Sequence, residues 1–135
     1  MTSQIVTKHA QIWPRSVFDM KEGNKLVANI KQLLSEPGVY VLYREDHPYY
    51  IGKTDGELFR RIWQHANRPH DRYYNFWTHF STFVVLKKEN RREIEGILIA
   101  AMPLAVNSAN PRIKKITLPA SVRKTLRKER RIEHA

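Results

Sequence analysis

GVYVLYREDHPYYIGKT, residues 38–54, holds two runs of strand chemistry around a turn. GVYVLYR, 38–44, and YYIGKT, 49–54, are rich in β-branched residues and tyrosine, which suit a pleated, half-buried surface. EDHP lies between them and is turn chemistry, so the two runs predict an antiparallel hairpin. Working outward, Pro37-Gly38 stops an upstream helix that Asn24 is placed to cap and that reaches about Ser35. Leu26, Val27, Ile30, Leu33 and Leu34 fall at helical spacing on one face of it. Downstream, Glu57 to about Asn67 predicts a helix with Leu58, Ile62 and either His65 or Ala66 on one side. NRPHDRYYNFWTH, 67–79, reads as an aromatic loop and FSTFVVLK, 80–87, as a third strand. Asn90 is placed to cap a last core helix running through IEGILIAAM to about Met102, where Pro103 limits it. This order predicts an α+β fold, a small three-stranded antiparallel sheet flanked by helices. The chain divides into an N-terminal extension with the amphipathic helix (1–36), a core (37–112) and a basic, helix-compatible tail (113–135).

Composition narrows the class. The 135 residues carry 24 Lys plus Arg against 13 Asp plus Glu, a net charge of +11. At 41% hydrophobic and 10% aromatic, the chain is too apolar for a disordered polybasic segment. It has no cysteine, which excludes a disulfide scaffold, a thiolate zinc site, an iron–sulfur cluster and a cysteine nucleophile together. From Pro111 to Ala135 there are nine Lys/Arg and two Asp/Glu, so +7 of the +11 sits in the tail. MTSQIVTKHAQIW lacks the apolar run of a signal peptide. The longest apolar stretch, Gly96 to Val106, is 11 residues and contains Pro103, short of the ~20 needed to cross a bilayer. The expectation is a cytoplasmic single domain with a polyanionic partner, nucleic acid ahead of an acidic membrane surface.

Several residues are out of place in a purely structural hairpin. Tyr40 and Tyr50 each lie near a glycine, Gly38 and Gly52, of a kind that weakens a strand unless something must approach closely. Lys53 follows Gly52, and His65 stands one helical turn beyond Arg61. Glu95 lies among Ile94, Ile97, Leu98 and Ile99, where a carboxylate is costly unless it meets a ligand or solvent. Glu93, two residues away, is its competitor on a different helix face, and Asn107 follows Glu95 by 12 residues.

These residues carry a family resemblance. G-V-Y, ten residues from Tyr40 to Tyr50, and then Y-I-G-K resemble the GIY-YIG nuclease family. The likeness continues through Leu58 and Arg61, then Glu95 with Leu98-Ile99, then Asn107, over about residues 37–112. The segment between Lys53 and Arg61 is one residue longer than in the repair-incision branch of that family, which leaves Arg60 as a second arginine candidate. The resemblance implies a DNA endonuclease that leaves 5′-phosphate and 3′-hydroxyl ends, acting on double-stranded DNA with Mg²⁺ or Mn²⁺ held by Glu95. Tyr40 is then the general base, with Lys53 and the metal lowering its pKa from the ordinary ~10. Tyr50 orients water or phosphate, Arg61 faces the non-bridging oxygens and Asn107 ties the site together. His65 relays a proton or contacts phosphate, or is an ordinary helix-face histidine.

The chemistry suits the residue types. Phosphodiester hydrolysis needs an activated water and a cation beside the developing charge. Magnesium keeps several waters and needs few protein ligands, so one carboxylate is enough. The six histidines do not make a zinc case, since His65 and His70 are separated by a proline-containing loop. In the aromatic loop, Arg72, Tyr73, Tyr74 and Trp77 stack on bases or cap the core, with Phe76 and Trp77 read as core. Lys114, Lys115, Arg123, Lys124 and Arg127 either track phosphates or form a solvated charge run. Two rival functions stand beside the nuclease: a non-catalytic nucleic-acid-binding module with the same fold, and a basic RNA-associated protein.

Overall fold

A computed structural model describes residues 4–19, 25–71, 76–102 and 113–133, with side chains for all of these except 25–27 and 128–133. The elements are β1 (Lys8–Pro14), a 3-10 turn (Arg15–Phe18), α1 (Lys25–Leu33), β2 (Gly38–Arg44) and β3 (His47–Thr54), followed by α2 (Leu58–Asn67), β4 (His79–Val84), α3 (Lys88–Ala101) and α4 (Ala120–Glu133). The α+β class holds. The sheet, however, has four strands in the order β1-β4-β2-β3, all pairs antiparallel, where three were expected. The added strand is β1, KHAQIWP, which buries only Ala10 and so shows little period-2 alternation. It is held instead by backbone pairing to β4, interrupted by a bulge between Ala10 and Trp13. There Ile12 adopts φ 51°, and its N–H donates to Ser81 Oγ at 2.9 Å.

The hairpin turns at Glu45-Asp46, and Glu45 takes a left-handed φ of 57° while its N–H donates to Thr78 Oγ1 at 2.8 Å. Beyond the turn Tyr43 pairs with Pro48 but Leu42 pairs with Tyr50, so Tyr49 is an extra residue in β3. From there Val41 opposes Ile51 and Tyr40 opposes Gly52.

The alternation of β2 divides the interior in two. Tyr40 and Leu42 join the larger core with Leu58, Phe59, Ile62 and Ala66 of α2 and with Phe18, Trp77 and Phe80. Val39 and Val41 face the other way, with Ile51 and Val85 against the half-buried Ile94, Leu98 and Ile99 of α3. Thus α2 covers one face of the sheet and α3 the other. Each fully buried large apolar side chain contributes roughly 1.5–3 kcal/mol. Both His65 and Ala66 are buried on α2. On α1 the predicted apolar face is narrower than expected: Leu34, just past its end, is buried but Leu33 is exposed. Trp77 is in the core as expected, whereas Phe76 is 48% exposed and stacks on Tyr49 with ring centroids 5.9 Å apart. The tail helix forms after Pro119, and Val122 and Leu126 on it are exposed.

Arg91 fixes α3 against the sheet. Its Nη1 donates to the carbonyls of Val85 at 3.0 Å and Leu86 at 2.9 Å, while Nε and Nη2 donate to Asp55 Oδ1 at 3.1 and 2.8 Å. The same guanidinium holds the Asp55 carboxyl below its ordinary pKa. Arg91→Met keeps the apolar stem but orphans the two carbonyls, an expected loss of about 2 kcal/mol. A urea titration reads this as a lower midpoint at unchanged slope, and a loss below ~0.5 kcal/mol would show that the clasp contributes little.

Candidate active site

Tyr40 is the centre of the first group of candidate residues. It is 0% exposed, and its hydroxyl lies 2.8 Å from His65 Nε2. The half-buried Tyr50 and Arg61 both bear electrostatically on the same hydroxyl. The rings gather closely, with centroids 6.2 Å apart for Tyr40–Tyr50, 5.6 Å for Tyr40–His65 and 5.7 Å for Tyr50–His65. Gly52 is the reason Tyr40 fits. A Cβ there would run into the Tyr40 hydroxyl and ring, and Tyr40 has no exposed side on which to retreat. Arg61 is steadied by Nη1 donating to Gln64 Oε1 at 3.1 Å.

Behind His65 stands a residue that sequence reasoning passed over. Helix α2 ends where the Arg68 N–H donates to the Gln64 carbonyl at 3.1 Å, and the Asp71 N–H then donates to the Arg68 carbonyl at 3.0 Å. That turn folds Asp71 back so that its Oδ1 lies 2.9 Å from His65 Nδ1, with the imidazole 1% exposed and the carboxylate 12%. The available signal was His-x5-Asp across a helix end containing Pro69. Arg15 locks the same corner, donating to the Ala66 carbonyl at 2.9 Å and the Trp77 carbonyl at 3.3 Å while lying over the Trp77 ring.

Electrostatics follow from burial. The Tyr40 phenol is pushed well above the ordinary tyrosine range, first by desolvation and then by Tyr50, with Arg61 pulling the other way. This differs from the expectation that Lys53 lowers it. The charge of Lys53 instead acts on Glu95, from the α3 side of β3, where Lys53 opposes Val39. Burial raises the Glu95 carboxyl and Lys53 opposes that shift. Glu95 is half-buried on α3, one turn beyond Arg91, and no hydrogen bond or salt bridge engages it among the described residues. Glu93 is exposed.

The structure therefore brings Tyr40, Tyr50, Arg61 and His65 together on the α2 side of β3, and Lys53 with Glu95 on the α3 side. Arg60 is exposed on α2, and Lys114, Lys115, Arg123, Lys124 and Arg127 are all exposed beyond the core. Asn107, Arg72, Tyr73 and Tyr74 lie outside the described residues.

Among solved structures, the chain is similar to the GIY-YIG N-terminal endonuclease domain of UvrC from Thermotoga maritima, in two point mutants bound to that domain's catalytic divalent cation. Its structural neighbours are GIY-YIG endonuclease domains. For the tyrosine-to-phenylalanine mutant the identity is 27% and the TM-score 0.49, over 67% of this chain and 100% of that one. For the asparagine-to-alanine mutant the values are 29% and 0.47, over 65% and 100%. No protein-family model matches the chain, and no curated protein matches it significantly.

His65 titrates against competing neighbours. Desolvation lowers its pKa and Arg61 lowers it further, while Asp71 raises it, and the net shift is downward. The neutral ring is thus the folded-state form, and its contribution to stability is full above the unfolded pKa of ~6.5 and is lost as pH falls from there toward the folded pKa. An NMR titration of the ring should give a midpoint below ~6.5. A midpoint at or above that value would mean that Asp71 outweighs burial.

Proposed function

We propose that this chain is a GIY-YIG-type endonuclease that hydrolyses phosphodiester bonds in double-stranded DNA with one divalent cation, in a cytoplasmic setting. The observation that carries the reading is the convergence of four motif positions, Tyr40, Tyr50, Arg61 and His65, from three elements onto one buried hydroxyl. A module that only binds nucleic acid accounts for Arg61; the nuclease reading accounts as well for Tyr40 and His65 meeting at 2.8 Å.

The Glu95 carboxylate fits a magnesium-type ion. Such ions take one or two carboxylates and fill the remaining positions with water and phosphate oxygens. Among the described residues no group of three or more His, Cys, Asp or Glu gathers to form a closed, zinc-type cage. Mg²⁺ or Mn²⁺ held by Glu95 would supply Lewis-acid stabilisation of charge on the phosphate.

The side chains supply the rest. Arg61 pairs its permanent charge with the non-bridging oxygens from the α2 side, while Lys53 and Glu95 reach the same phosphate from the α3 side, around β3, the edge strand of the sheet. Tyr50, the partly exposed member of the tyrosine pair, meets the attacking water. The water's proton passes to the Tyr50 oxygen, the Tyr50 proton to the Tyr40 oxygen, and the Tyr40 proton to His65 Nε2. The water oxygen bonds to phosphorus as the P–O3′ bond breaks. The 3′ oxygen then takes a proton from solvent and His65 returns one, leaving 5′-phosphate and 3′-hydroxyl ends. Routing the proton through Tyr40 accounts for a phenol that is sealed from water and too weak an acid to ionise alone.

The wild-type protein is expected to nick supercoiled plasmid with Mg²⁺ or Mn²⁺, and Glu95→Ala to abolish nicking with an unchanged circular dichroism spectrum. A wild type that binds DNA yet stays inert across metals and DNA forms would instead establish the binding module.

The tail makes a separate prediction. No helix among the described residues is long and apolar enough to cross a membrane, and Arg123, Lys124 and Arg127 of α4 are exposed, as phosphate contacts require. Deleting residues 118–135 should flatten the plot of log affinity against log salt by about one unit for each phosphate that the tail neutralises. An unchanged slope would remove α4 from the interface.

A further inference from the structure

We propose that Asp71 is a positioning residue that sets the direction of the hydrogen-bond chain through the active site, by fixing His65 as the Nδ1–H tautomer. The inference rests on the nuclease reading for its consequence but not for its geometry. A carboxylate only accepts hydrogen bonds, so the 2.9 Å contact from Asp71 Oδ1 requires the proton on His65 Nδ1. The neutral ring then presents a bare Nε2, and the Tyr40 hydroxyl 2.8 Å away must donate to it. With its own proton committed, the Tyr40 oxygen is left to accept, and the Arg61 guanidinium, which pulls the phenol's pKa down, is a donor-only group bearing on it. The polarity of the array therefore runs one way, from the buried Tyr40 to His65 to Asp71.

That direction matters for the reaction. A chain that accepts protons at its outer end removes one from an attacking water, whereas the reverse polarity delivers one. When His65 takes the Tyr40 proton it becomes an imidazolium beside Asp71, and the carboxylate stabilises that charge in a place largely closed to solvent. Among the described residues, the charged and titratable groups facing the imidazole include Asp71 from the turn after α2, Arg61 from α2, Tyr40 from β2 and Tyr50 from β3. Of these, Arg61 opposes the imidazolium and Asp71 favours it. The placement of Asp71 is built into the fold, because the 3.0 Å turn contact to Arg68 aims it and Arg15 pins the adjoining carbonyls of Ala66 and Trp77.

The test has two readouts. Long-range ¹H–¹⁵N spectra of the imidazole nitrogens, with His65 assigned from the signal missing in His65→Gln, should show a protonated Nδ1 and a bare Nε2 in the wild type. In Asp71→Asn the amide can donate to Nδ1, and the proton should move to Nε2. On supercoiled plasmid, Asp71→Asn should lower kcat by about 10²-fold or more with KM unchanged. Asp71→Glu, which keeps an acceptor-only group, should recover part of the loss and retain the wild-type tautomer. A wild-type ring protonated at Nε2 overturns the proposal whatever the activity. So does a folded Asp71→Asn variant whose kcat stays within about twofold of wild type, given the 10²-fold or larger contribution expected of a proton-transfer group. If the wild type cuts no DNA, the nuclease reading fails while the ring spectra still decide the tautomer, so the two failures are distinct. If Asp71→Asn does not fold, the wild-type spectra and Asp71→Glu carry the decision.

Discussion

The arrangement of the site depends on one extra residue in β3. A regular two-residue hairpin turning at Glu45-Asp46 would set Tyr40 opposite Ile51 and send Tyr50 to the face covered by α3. The bulge at Tyr49 shifts the register by one, and a shift of one moves every side chain beyond it to the other face. Tyr50 then pairs with Leu42 on the α2 face and Gly52 comes to lie opposite Tyr40. Both results are needed. Sharing a face brings the two hydroxyls together, and the missing Cβ of Gly52 gives the Tyr40 hydroxyl its space. The same bulge sets Tyr49 beside the exposed ring of Phe76, so the irregularity also shapes the surface at this end of the sheet.

Burial then decides what Tyr40 can do. With no exposed surface it cannot meet solvent, and desolvation makes its anion expensive, so any proton it exchanges must pass through a neighbour. Every buried side-chain polar atom among the described residues has a hydrogen-bond partner, which makes the cluster a connected network rather than a set of strained groups. Glu95 contrasts with this. Its carboxylate is half-buried, is held by no hydrogen bond or salt bridge among the described residues, and has the charge of Lys53 to offset its desolvation.

The hairpin, the helix at 58–67, the strand at 79–84 and the helix carrying Glu95 were legible because each has a strong apolar period or clear breakers such as Pro37-Gly38 and Pro103. β1 was not, since a strand that buries one alanine and is held by its backbone leaves almost no side-chain signature. The motif positions could be named from spacing, but parity alone places Tyr40 and Tyr50 on opposite faces, and a bulge has no sequence mark as plain as a glycine or a proline. Asp71 was illegible for a related reason. Its role arises from a turn that reverses the chain after α2, and a lone aspartate in a polar loop looks like any other. Phe76 and Trp77 show the same limit: two adjacent aromatics, one buried and one exposed, are told apart only by the path of the backbone.

The positive charge divides along the same lines. Within the core, the cations near the site have specific tasks: Arg61 bears on the Tyr40 hydroxyl and Lys53 opposes the raised pKa of Glu95. Arg91, also cationic, is consumed by structure, clasping Asp55 and two carbonyls. The tail differs, with exposed basic residues on a helix whose apolar positions Val122 and Leu126 are themselves exposed. Charge of that kind attracts a polyanion over a distance set by salt, about 8–10 Å under ordinary conditions, and carries little geometric information. The two kinds of charge are therefore separate in this chain: the basic residues of α4 are exposed and act over a distance, whereas those around Tyr40 and Glu95 act on particular groups.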